Sequence, residues 1–159
     1  MYRYRMMHRL KLITAIALII FAILIFVSCV RSTFFNPEKE ALKAVETFYE
    51  LESSGHFGES WEMFHPLMKE KFSRNHYIQD RAHVFLNHFG VEKFTVTIGK
   101  PNHYSEWQMD SHSPVLEDVY KIPIIMTFKG KYGNFDIHQD VFSHKVDGEW
   151  MILWSYDRE

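Results

Sequence analysis

The residues best suited to do chemistry are Asp136, His138 and Asp140, in the run Asp136-x-His138-x-Asp140, with His144 further along. On a strand, alternation puts all four on one face. Carboxylates beside an imidazole suit general acid and base chemistry, or zinc. The same alternation also suits the solvated outer face of a sheet. Phe142 and Val146 continue the parity, so the face must change character or a bulge must shift it. A second group, His103, Glu106, Asp110 and His112, lies in a polar stretch whose spacing is not metal-like. His83 and His88 do not share a helix face. His65-Pro66 reads as a turn whose imidazole bonds backbone. Trp61, Trp150 and Trp154 read as core or as lining of a ligand cavity. There is no glycine-rich phosphate loop and no hydrolase elbow. No metal and no cofactor is expected.

These side chains follow a segment of another kind. Residues 12–30, LITAIALIIFAILIFVSCV, are uncharged and almost wholly apolar. Nineteen helical residues span roughly 28 Å, close to the hydrocarbon core of a bilayer. Arg3, Arg5, Arg9 and Lys11 precede the run and Arg31 alone follows closely. The positive-inside rule leaves 1–11 as a basic cytoplasmic tail and sends the rest outside the cell membrane. Three fates of the segment stay open: a retained single-pass anchor, a lipoprotein or a cleaved signal. Cys29, the only cysteine, is the candidate lipidation residue, since Phe26-Val27-Ser28-Cys29 is similar to a lipobox. Ser before Cys fits that pattern, Phe three before it does not, and no Ala-x-Ala cleavage site stands out.

The formal net charge of −2 divides into +5 over residues 1–31 and −7 over 32–159. An acidic domain argues against nucleic acid as the partner. Lacking an internal disulfide, the domain must rely on its core, and 22 aromatic residues after position 31 supply one.

After a spacer at 31–36, Asn36-Pro37-Glu38 signals a helix start, and Ala41, Ala44, Val45, Phe48 and Leu51 form its apolar stripe, ended by Gly55. A second helix is expected from Glu59 to about His65, which Pro66 interrupts or re-aims. Ser73 opens a third, carrying Ile78, Ala82, Phe85, Leu86 and Phe89 to Gly90. The period then changes. Phe94, Val96 and Ile98 mark a strand. Residues 102–115 read as a loop with room for a short strand. A long strand runs from Val119 to Phe128, and Pro123 within it favours an edge or a bulge. Gly130–Asn134 is a turn, Phe135–Val146 a strand, and Asp147-Gly148 a tight hairpin. Glu149–Tyr156 is apolar on both faces, which places it centrally in the sheet. The expected fold is α+β: a transmembrane helix, then about three helices packed on a curved antiparallel sheet of at least four strands.

The order of these pieces resembles the nuclear-transport-factor-2-like superfamily over about residues 37–156. The matching pieces are Ser54-Gly55-His56-Phe57-x-x-Ser60-Trp61, Phe64-His65-Pro66, the helix opening at Ser73, Gly90-Val91-Glu92-Lys93-Phe94-Thr95-Val96, Met126-Thr127-Phe128-Lys129-Gly130 and Asp147-Gly148-Glu149-Trp150-Met151-Ile152-Leu153-Trp154. More narrowly, the chain is similar to the small extracytoplasmic versions in Gram-positive bacteria, such as the non-catalytic N-terminal domain of class B penicillin-binding proteins. The resemblance implies a cone of helices against a bent sheet over 37–159. It does not imply transpeptidase activity, because no Ser-x-x-Lys motif is present. The superfamily hosts enzymes, transport factors and inert modules. The expected function is a tethered binding or accessory domain of the cell envelope, with an envelope protein or peptide as partner and no catalysis. The alternative is a small-ligand enzyme using Asp and His in the cone cavity.

Overall fold

The computed structural model describes residues 16, 18–23, 25–26, 36–84, 94–130 and 133–156. The chain divides into two units, Met1–Asn36 and Pro37–Glu159. In the first, every described position from 16 to 26 is helical and exposed. Its described large apolar side chains, between Ile16 and Phe26, stand 49–70% open. Among the described residues no helix is long and apolar enough to cross a membrane. Of the expected 12–30 span, residues 16, 18–23 and 25–26 are described, and Cys29 lies outside the described residues.

Among the described residues the second unit is α+β, with four helices followed by a five-stranded antiparallel sheet. Helix α1, Pro37–Ser53, buries Ala41, Val45, Phe48, Tyr49 and Glu52, the one face that spacings of three and four select. It lies against β1, β3, β4 and β5. It ends where Gly55 takes φ +77° and the His56 N–H returns to the Leu51 carbonyl at 2.9 Å. Helix α2 is Phe57–Glu62, and α3 is Pro66–Lys71. Pro66 therefore re-aims the chain by starting a helix of its own. Its missing N–H costs nothing in a first turn. Helix α4, Arg74–Ala82, follows Ser73, and the expected extension through Phe85, Leu86, Phe89 and Gly90 lies outside the described residues.

The strands are β1 (Phe94–Ile98), β2 (Asn102–Trp107), β3 (Leu116–Gly130), β4 (Gly133–Val146) and β5 (Glu149–Trp154). The sheet order is β1-β3-β4-β5, with β2 also on β3. The stretch read as a loop thus contains a full strand. Its first five residues are exposed, so burial left no alternation to read.

Strands β1 and β2 act as one bent ribbon along β3. Ile98 pairs with Ile124 and Asn102 with Lys121, so residues 99–101 oppose only 122–123: a β-bulge. This explains how Pro123 sits in an interior strand. Its carbonyl accepts the Gly99 N–H at 2.8 Å. In an extended strand a residue's nitrogen and carbonyl point the same way, so the donor that Pro lacks faces the bulge.

Strand β5 is an edge strand, not a central one. Residues 63–65 cover that edge, with His65 N–H donating to the Ile152 carbonyl (3.0 Å) and Ile152 N–H to the Met63 carbonyl (2.9 Å). Ile152 and Leu153 are both buried, so an edge can be apolar on both faces when the helical layer wraps it. The hairpin at Asp147 (φ 51°) and Gly148 (φ 92°) has the left-handed pair of a type I′ turn.

Candidate functional site

Asp136, His138 and Asp140 all lie exposed on one face of β4. Asp140 accepts from Lys121 Nζ at 3.2 Å, and Lys121 pairs in register with Phe142, one step along the sheet. His138 and Asp140 border a trough of about 390 Å³ opened by the bulge, which Thr97, Gly99, Pro123 and Ile125 also line. Among the described residues no three His, Cys, Asp or Glu side chains converge as a metal site.

The same face changes character within two residues. Phe142 is buried because Trp107 stacks on it, with ring centroids 4.1 Å apart and planes 18° from parallel. His144 is half-buried because His65 reaches over the sheet edge to meet it. His144 is therefore separated from the Asp136–Asp140 run by a covered patch.

The second sequence group disperses. His103 Nε2 lies 3.0 Å from Asp118 Oδ1, an Asp held at φ 55°. Asp110 pairs with Lys71 at 2.8 Å, and that contact, with the His112 N–H behind it, holds the Asp110 carboxyl below its ordinary range. Glu106 pairs in register with Glu117. His83 is exposed, and His88 lies outside the described residues.

The three tryptophans take separate places. Trp61 Nε1 donates to the Phe72 carbonyl at 2.8 Å, with Lys69 above its ring. Trp150 Nε1 donates to Glu40 at 2.9 Å, and Glu40 also binds Lys145. Trp154 packs in the interior, edge-on to Phe48 and Phe64 at 6.3 and 5.1 Å. Tyr77 and Phe72 close around it at 6.4 and 6.2 Å.

Two polar arrangements stand out that no motif announced. The first is buried among the helices. Glu52 receives the Ser60 hydroxyl, the Tyr77 hydroxyl (2.7 Å) and two donors of Arg81, one of them Nε at 2.6 Å. Burial and the Glu52 charge push the Tyr77 phenol up, so it stays a neutral donor. The signal was present: Glu52 stands four residues after Phe48 and seven after Val45, on the apolar stripe, and Tyr77 and Arg81 share a face of α4.

The second is the histidine pair. His65 precedes α3, and its Nδ1 accepts the Leu67 N–H at 3.2 Å. Its Nε2 lies 3.2 Å from His144 Nδ1. Burial, reinforced by His144, pushes the His65 imidazole down to about 4. Burial also lowers His144, while the Asp118 charge pulls it the other way. The backbone-bonding role expected of His65 is thus half of what it does.

No protein-family model matches the chain, and no curated protein matches it.

Proposed function

We propose that this chain is a membrane-tethered extracytoplasmic domain of the cell envelope, on a nuclear-transport-factor-2-like cone, that binds a partner rather than turning over a substrate. The observation that carries the reading is the filled interior. Between helices and sheet, where a small-ligand enzyme of this architecture would keep a cavity, Phe48, Phe64, Tyr77 and Trp154 pack ring against ring at 4.9–6.4 Å. The one carboxylate among them, Glu52, already has four donors and no lone pair left for a substrate. The tether is supported by the run at 12–30 and its basic flank. The outer sheet face supplies the binding surface. Its trough combines Ile125 and Pro123 with His138 and Asp140, a mixture suited to an extended segment of an envelope protein or peptide.

The test is made on the full chain in cells. Photo-crosslinking side chains at positions 125 and 138 should give one discrete adduct each, and the same group at Glu46 none. A C-terminal tag should be cleaved by protease added to intact spheroplasts. A protected tag sinks the topology. Equal crosslinking at all three positions sinks the binding face.

A further inference from the structure

We propose that His65 and His144 form a proton-operated latch that holds the α2–α3 connection onto the edge of the sheet. Because Leu67 N–H donates to His65 Nδ1, that nitrogen carries no proton. The proton of the neutral ring therefore sits on Nε2, where it donates to His144 Nδ1 at 3.2 Å. His144 in turn must hold its own proton on Nε2. One tautomer of each ring satisfies the whole chain, from the first turn of α3 across to β4.

Every added proton breaks a link. A proton taken by His65 goes to Nδ1 and faces the Leu67 N–H, which then has no acceptor. A proton taken by His144 goes to Nδ1 and faces the N–H of His65 Nε2. The pair cannot share the charge, and burial of His65 removes the water that would stabilise it. A metal ion bound between the two rings would meet the same conflict. Ligation through His65 Nε2 requires a proton on Nδ1, the atom that caps α3.

The surrounding charges leave the latch to these two rings. From β3, Asp118 favours a charged His144, and it is itself engaged by His103 of β2. From β4, Lys145 is bound to Glu40 of α1. From α3, Lys69 is held by the Glu62 carbonyl and carboxylate at the end of α2. From β5, the backbone of Ile152 meets the N–H of His65, and Met151 pairs in register with His144.

What the latch holds is the cover of the sheet edge. Residues 63–65 make two backbone hydrogen bonds to Ile152. When the rings part, this is the segment free to lift, uncovering the unpaired edge of β5. Acid thereby exposes a strand edge that neutral pH keeps closed.

The experiment uses the full chain in detergent micelles, with no tether removed. Long-range nitrogen–proton correlation spectra at pH 7.5 should show His65 bare at Nδ1 and protonated at Nε2. Amide exchange of His65, Leu67 and Ile152, corrected for intrinsic rates, should accelerate roughly tenfold per pH unit below about 6.5. The Phe94–Ile98 amides should change far less. His65→Asn keeps a cap without a titrating ring and should flatten the acceleration at least fivefold, whereas His144→Gln keeps a partner for His65 Nε2 and should leave the part of the acceleration that His65 drives. A proton on His65 Nδ1 at pH 7.5 overturns the latch. So does an unchanged acceleration in a folded His65→Asn variant. The tautomer reading is made on the unaltered protein, so misfolding of either variant does not protect the proposal.

Discussion

Glu52 and Arg81 depend on each other because the Glu52 side chain is fully buried and that of Arg81 is only 21% exposed. Replacing Glu52 by Gln takes the carboxylate away from the Arg81 guanidinium and weakens the bonds from Ser60 and Tyr77. Breaking one side of a buried pair typically costs about 3–5 kcal/mol. Glu52→Gln is expected to lower stability by that amount in urea unfolding, a large share of what a domain this size has. Adding Arg81→Met removes the guanidinium charge too, so the double variant should be more stable than Glu52→Gln alone. Simple additivity of the two losses would refute the coupling. Ser143 gives the opposite case. Its hydroxyl is buried and has no hydrogen-bond partner among the described residues. Ser143→Ala removes a polar group already desolvated, so it should be neutral or stabilising by up to about 1 kcal/mol. A loss above that figure would mean the hydroxyl is engaged. The histidine pair adds a pH dependence with a definite sign. His65 binds its proton less readily when folded, at about 4, than when unfolded. Its contribution, at most about 3 kcal/mol, is therefore present above pH 6.5 and is lost as pH falls from 6.5 toward 4. A urea midpoint that stays flat across that window would contradict the assignment.

The bulge at residues 99–101 is what lets one strand of the sheet carry a proline in its interior, and it rests on close backbone approach. A β-carbon on Gly99 would sit 2.7 Å from Pro123 Cγ and 3.1 Å from its carbonyl oxygen. Gly99→Ala must push the ribbon off β3, at a cost of about 1–3 kcal/mol, and should alter the trough beside His138 and Asp140. Gly99→Ala with unchanged stability and unchanged crosslinking at position 138 would show that the bulge yields freely. The same element explains what was legible in the sequence. The α1 stripe, the strand at 94–98 and the Asp147-Gly148 hairpin are local signals, fixed by periodicity and turn chemistry. Strand β2 was not legible, because its order comes from pairing with β3 and its side chains face solvent. The place of β5 was not legible either. Residues 63–65, some ninety positions earlier, supply the cover that makes an edge look central. For the site, the Asp136–His138–Asp140 face was readable from alternation. The meeting of His65 with His144 depends on that same long-range edge contact, which no spacing in the sequence encodes.

At the scale of the whole molecule, charge and hydropathy are divided along the chain more sharply than they are mixed within it. The basic residues of the first 31 positions meet no acid there, and the acids all follow. The described apolar residues of the first unit are exposed, Ile19 by 59% and Ile23 by 54%. Eight large apolar side chains left open over so short a stretch are costly in water and ordinary in lipid. If residues 12–30 lie in a bilayer, a charge at mid-segment should be expensive, about 2.5–3.5 kcal/mol for each Arg. Ile19→Arg with Ile23→Arg should therefore abolish carbonate-resistant membrane association of the full chain. Ile19→Leu with Ile23→Leu, equal in hydropathy, should leave it intact. Retention of the Arg pair variant in the carbonate-washed pellet would mean that another part of the chain holds the membrane. The histidine latch would then still read pH, but on a protein tethered some other way.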